Sequence, residues 1–472
     1  MISTYARNAI TLGLLAAIGP FAIDMYLPAL PTIAADLGAS TAATQMTLMV
    51  FFVAFGVCQV IYGPVSDMVG RKPPLYVGLG LFILGSIGCA ASHSLLQFVA
   101  ARIVQGVGGA MMTPVGRLIM VRSVEKHLLL NAMSLVTVPA LIGPICGPPL
   151  GGFITTYASW HWIFLINVPI GLVGIAAATR FIANVRIEHQ APFDLVGFIL
   201  AGLAVAGLAF GLSVMGLDFL PPGVVAALIG VGAVCAAAYV IHAKRTPAPI
   251  LDLNLLKLPT FRASILGGFM FRLGIGALPF LLPLLLQIGF NLTPFQSGLI
   301  TFTSALGSMF MKAAVASVLK HFGYRNVLLY NSLISSIFLA ACATFVPGMP
   351  FWAMIAVLLS GGFFRSLQFT SINTIAYAEI DPPRMSRATA LTAAAQQLSL
   401  STGVAVGALV VEITLRLKHS PTMGAADFPP AFLAISLLAA SAALVFMQLS
   451  PTAGEELSGR RAAQAELADQ RS

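Results

Sequence analysis

Two charged side chains stand inside stretches that are otherwise apolar: Asp24 and Arg102. A lone charge in hydrocarbon costs roughly 2.5 to 3.5 kcal/mol, so such residues usually pair or line water. Asp24 lies six residues before one end of its stretch and Arg102 seven residues into a later one. At 1.5 Å per helical residue these are depths of about 9 and 10 Å from the same side, which puts the two groups at one level. One reading makes Asp24 a proton carrier whose loading answers to its distance from Arg102 and to its hydration; the other makes the two a static ion pair.

The second half of the chain carries cations at membrane depth instead of acids. Arg272, Lys312 and Arg365 fall well inside apolar runs, and Glu412 is the one span acid there, near an end. Arg365, Gln368 and Ser371 recur every three residues and would form one polar stripe on a helix, which Gln396 or Gln397 could face. Such a charge balance suits an anionic or carboxylated cargo. The alternative is that each cation caps backbone carbonyls or snorkels. Tyr26, Phe271 and Phe364 are candidate apolar walls of a cavity, or plain packing.

Three glycine-rich motifs accompany these charges. Gly63-Pro-Val-Ser-Asp67-Met-Val-Gly70-Arg71-Lys72 reads as a short loop between two apolar stretches. Gly63 and Gly70 allow a tight turn and close approach, and Asp67 can pair with a basic group or cap a helix, a latch between conformational states. Arg71 and Lys72 also fit a simple topological role. Arg102-Ile-Val-Gln105-Gly106-Val-Gly108-Gly109 is the second motif, and Gly143-Pro-Ile-Cys-Gly147-Pro148-Pro-Leu-Gly151-Gly152 the third. In the third, glycines leave a face almost free of side chains while prolines remove backbone donors and bend the helix.

The elements that must position these residues follow from composition. Of 472 residues, 58% are hydrophobic and only 9% charged, with mean hydropathy +0.93. A water-exposed surface could not be built from that mixture, and apolar runs of about 20 residues without strand alternation predict transmembrane helices. Fourteen are expected, near 9–30, 45–65, 75–92, 95–121, 131–156, 161–183, 194–215, 222–242, 262–288, 296–318, 326–346, 351–377, 388–415 and 430–449. With the N-terminus inside, Lys and Arg concentrate in the inner loops and only Arg416 and Lys418 lie outside, so both termini are expected in the cytoplasm.

The net charge of +9 is then spread over cytoplasmic loops facing anionic lipid, and a nucleic-acid partner is not expected. Cys58, Cys89, Cys146, Cys235 and Cys342 all fall in spans and read as small apolar residues. There is no G-x-x-x-x-G-K-[ST] loop and no metal spacing among the histidines, so neither an enzyme nor a cofactor is expected. The tail from Pro451 is polar and reads as mobile or surface-bound.

The motifs resemble the major facilitator superfamily in its drug:proton antiporter branches. Gly63 to Lys72 is similar to the loop after the second helix, with Val65 and Met68 departing from it; Arg102 to Gly109 is similar to the fourth-helix motif; Gly143 to Gly152, preceded by Ser134, is similar to the fifth-helix antiporter motif. Fourteen spans and Trp160-His-Trp162-Ile-Phe-Leu-Ile-Asn167-Val-Pro169 resemble the EmrB/QacA-like branch and, within it, the MdtD-like proteins. Asp24-Met-Tyr-Leu-Pro28 departs from that branch: Asp24 sits two residues closer to the closing proline, a rotation of about 200° on a helix.

The resemblance implies an all-α polytopic membrane protein with the major facilitator fold: a six-helix bundle over 1–186, two inserted helices over 187–246, a second six-helix bundle over 247–450 and a cytoplasmic tail over 451–472. It implies proton-coupled export of small amphiphilic molecules by rocker-switch alternating access. Substrate:proton symport or facilitated uptake is a second transport reading, and a polytopic receptor or scaffold the reading outside transport. Expected partners are a small-molecule substrate, protons and the lipid bilayer, with the proton gradient as energy source and a monomer as the unit. The expected location is the plasma membrane, the inner membrane in a Gram-negative bacterium. Lys320-His-Phe-Gly323-Tyr-Arg325 looks like a second-half copy of Asp67-Met-Val-Gly70-Arg71, with lysine where the aspartate stands.

Overall fold

The computed structural model describes residues 4–39, 41–112, 116, 119, 136, 139, 142–182, 193–215, 220–418 and 423–458, and no strand occurs among them. α1 (Thr4–Asp36), α2 (Thr41–Val69), α3 (Lys72–Ala90) and α4 (Leu95–Gly109) open the chain. α5 (Ile142–Tyr157), α6 (His161–Phe181), α7 (Leu195–Val214) and α8 (Pro222–Arg245) follow. α9 (Pro259–Gly289) contains a π-helical turn at Leu285–Gly289. The run Pro294–Ala341 is broken at Gly323 (φ 76°, ψ 161°), giving α10 over 294–322 and α11 over 324–341. α12 (Phe351–Ile375), α13 (Met385–Lys418) and α14 (Pro429–Phe446) complete it.

Each expected span coincides with one of these helices among the described residues, although the fourth and fifth spans are described only over 95–109 and 142–157 of their length. Ten helical runs are long and apolar enough to cross a membrane. α7 and α8 are the most apolar, with mean hydropathy 2.4 and 2.5, so the stretch from 194 to 242 does make two spans. Ser134, Arg122, Lys126, Arg186, Arg460, Arg461 and Arg471 lie outside the described residues.

Helix starts are set by local chemistry. Ser94 accepts from the Gln97 amide at the head of α4, and Thr293 and Gln296 form a reciprocal capping box at the head of α10. Proline occupies the first turn of α3, α8, α9 and α14, where its missing N–H leaves no carbonyl unserved.

One expectation is corrected. Gly63 to Asp67 do not lie in a loop; α2 runs on to Val69, and the break comes only at Gly70 (φ 93°), a left-handed stop that favours glycine. Residues 451–458 are not free tail: Leu457 is buried and Gly454 lies against the Tyr324 ring.

Contacts divide the chain into two compact units. The first is built from α1–α8 with residues 383–398, and the second from α9–α12, the rest of α13, and α14.

Candidate functional site

In the first unit, the Arg102 guanidinium is fully buried among rings. It lies 4.3 Å from the ring centre of Tyr26, 4.9 Å from that of Phe51 and 5.6 Å from that of Phe164. Its Nη1 donates to Gln105 Oε1 at 2.7 Å, and Gln105 Nε2 donates to Ser86 Oγ at 2.8 Å, so the motif's arginine and glutamine form a chain from α4 to α3. Nε and Nη2 have no hydrogen-bond partner among the described residues. Cation–π contacts from three rings stabilise a charge that has no carboxylate partner among the described residues, each worth about 0.5 to 2 kcal/mol.

Asp24 is not that partner. It is half-buried, and among the described residues it makes no ion pair. The reason is angular: Tyr26 turns toward α2 and α4, where its hydroxyl meets Thr47 Oγ1 at 2.6 Å and donates to the Thr44 carbonyl at 3.2 Å. Asp24, two residues back and about 200° around the helix, faces α5 instead. A shared depth thus gave the level of the two charges and missed their azimuth.

What Asp24 meets is the glycine face of the third motif. A β-carbon at Gly147 would fall 2.6 Å from Asp24 Cβ, one at Gly151 2.1 Å from the Met25 carbonyl oxygen, and one at Gly143 2.7 Å from the Phe21 amide nitrogen. Three of the motif's glycines are therefore what lets α5 close on the turn of α1 that bears Asp24. Gly152 is in ordinary contact with Pro28, and the Pro148 side chain lies outside the described set.

At the other end of the unit, Arg71 is buried and bonds Ser66 Oγ, while Lys72 Nζ donates to the Thr179 carbonyl at 2.9 Å in the last turn of α6. The side chains of Asp67 and Pro64 lie outside the described set, so the latch partner of Asp67 does too.

The second unit holds its cations differently. Arg272 is fully buried, donates to Asn373 Oδ1 at 2.8 Å and lies 5.8 Å from the Phe369 ring centre. Lys312 Nζ donates to Thr370 Oγ1 at 2.5 Å, and Arg365 Nη2 to Ser304 Oγ at 2.7 Å. Two hydroxyls and an amide accept hydrogen bonds from these three cations, and Glu412 is taken by Arg416 one turn away.

The α12 stripe does not act as one surface. Arg365 turns to α10, while Gln368 is fully buried, with Asn331 donating to it at 2.9 Å and its own amide donating to the Leu328 carbonyl of α11 at 3.0 Å. Ser371 donates back to the Leu367 carbonyl. Gln397 belongs with the first unit, its side chain lying beside Gly56 of α2. Tyr26 and Gln368 are thus packed, not cavity-lining, in this state. Phe271 and Phe364 pack against Phe369 and Phe338.

Sequence reasoning missed Ser86, Phe51 and Phe164 around Arg102, and Asn331, Asn373, Ser304 and Thr370 in the second unit. Single small polar residues in apolar helices carry no spacing signal that separates them from ordinary packing.

Helices long and apolar enough to cross a membrane, with arginines buried among them in both units, define a polytopic membrane protein. The Major Facilitator Superfamily model matches residues 12–241 and 264–471, and the chain belongs to that superfamily. It is 34% identical over 425 residues to a protein of Pectobacterium atrosepticum named multidrug resistance protein MdtD, covering 90% of this chain and 91% of that one. Its identity to the protein of that name in Salmonella heidelberg is 38% over 384 residues, 81% of each chain. The crystal structure of the human organic anion transporter MFSD10 (TETRAN) shares the fold, with TM-score 0.68 and 16% identity over 94% of this chain and 99% of that chain.

Proposed function

We propose that this protein exports small amphiphilic molecules in exchange for protons, by alternating access of two bundles over residues 1–186 and 247–450, with 187–246 as inserted helices. The observation that carries this reading is Asp24. It is a carboxylate on the turn of α1 that the glycine face of α5 closes upon, two residues from a ring that holds a buried arginine. A group so placed can take up a proton when water reaches it and give it up when α1 and α5 turn it elsewhere. The relatives' name, multidrug resistance protein, supports efflux as the direction.

Cargo of anionic or carboxylated character is supported by the three cations Arg272, Lys312 and Arg365, which donate to Asn373, Thr370 and Ser304 and could also donate to an anion. The reading includes a plasma-membrane location, cytoplasmic termini, a monomeric unit, and the proton gradient in place of a cofactor or catalytic chemistry. Purified protein in liposomes, given an imposed pH gradient and a panel of anionic and cationic amphiphiles, tests it. Gradient-driven exchange is expected for the wild type and lost in Asp24→Asn; exchange that survives this change removes Asp24 as the proton carrier.

A further inference from the structure

The segment that begins α6 contains two tryptophans with opposite surroundings. Trp162 is 58% exposed, as expected of a residue at a membrane interface, whereas Trp160 is 3% exposed. Trp160 Nε1 donates to Asp36 Oδ2 at 2.9 Å. Asp36 is the last residue of α1, where the helix dipole disfavours a carboxylate, so its presence there calls for a specific acceptor role.

From Trp160 the contacts lead to Arg102. Its ring meets the edges of Phe98 at 5.8 Å and Phe164 at 6.0 Å, both nearly perpendicular. Phe98 meets Phe164 at 5.4 Å and Tyr26 at 6.1 Å. Phe164 and Tyr26 are two of the three rings that hold the guanidinium. Such ring pairs have strong angular preferences, so fixing one ring constrains the next.

We infer that Trp160, anchored by Asp36, is a positioning residue for proton coupling: it braces the aromatic cage that sets where the Arg102 charge sits. This rests on the proton-exchange reading above. Arg102 acts on the transported proton through its field, and the cage fixes the origin of that field. The other groups that face this chain are Tyr26 and Cys89, which interact electrostatically with Arg102, the amide of Gln105, and His161. The His161 ring stacks on Trp160 at 3.8 Å, and its Nδ1 meets Ser159 Oγ at 2.7 Å.

The test uses the full chain in liposomes and records exchange rate against pH for the wild type, Trp160→Phe, Asp36→Ala, Asp36→Asn and the Trp160→Phe/Asp36→Ala double variant. Trp160→Phe keeps an aromatic ring, smaller than the indole, and loses the donor. The two single losses are expected to lower the rate about threefold and to move the midpoint of the pH profile by about half a unit in the same direction, with the double variant no worse than either. Asp36→Asn, which retains an acceptor oxygen, is expected to restore most of the rate and the wild-type midpoint. Additive losses, or a midpoint that stays fixed in all four variants, overturn the inference while leaving the transport reading intact. A wild type that exchanges no cargo for protons overturns both.

Discussion

The loops after α2 and after α10 finish in the same way, while the charged interiors of the two units do not. Gly70 (φ 93°) and Gly323 (φ 76°) make the same left-handed break. Just beyond it, Lys72 donates to the Thr179 carbonyl at the end of α6, and Arg325 donates to the Met447 carbonyl at the end of α14, at 3.3 Å. Each loop therefore places a cation at the carbonyl end of a helix of its own unit, α6 or α14, where the dipole's negative end welcomes it. The interiors diverge: Arg102 is held by three rings and a glutamine, whereas Arg272, Lys312 and Arg365 meet asparagine, threonine and serine. The two loops share the turn that shapes the backbone, while the side chains that hold the interior cations differ between the two units.

The comparison breaks most easily at the arginines. Arg102→Ala should lower proton-driven exchange at least about a hundredfold for every cargo, since it leaves Gln105 and an apolar ring cage without the buried charge. Arg365→Ala should weaken anionic cargo about tenfold, read as a raised KM, and spare cationic cargo. If both variants lose all cargo alike, the division of labour is wrong. Thr370→Val, which removes the Lys312 acceptor, should alter anion KM by about threefold with little change in maximal rate.

Smaller effects concern packing. Gly151→Ala should destabilise the first unit by about 1–3 kcal/mol, read as a lower melting temperature, because its methyl would meet the Met25 carbonyl. Gly70→Ala and Gly323→Ala form a matched pair, each expected to cost about 1 kcal/mol in thermal stability; a large difference between them would sharpen the contrast between the loops.

The elements were readable from sequence because lipid allows few solutions: long apolar runs and proline at helix starts mark the segments and their order. Gly70 was legible as a turn, yet the helical course of Gly63–Asp67 was not, because α2 continues past its apolar stretch to Val69. Arg102 and Gln105 were legible as a motif three residues apart on one helix face. The facing residues were not, since azimuth depends on how neighbouring helices rotate: Asp24 and Tyr26 differ by two positions and point to different neighbours. Gln368 was read as cargo-facing from its stripe, but a polar stripe also results when a helix packs between two partners, here α10 and α11.

The near-contact of α5 with α1 has a mechanical meaning. With glycine at 147 and 151, α5 approaches α1 so closely that a β-carbon at either position would collide with Asp24 or Met25. Two helices seated that closely share many short backbone contacts along one face, so a load on either is carried by both.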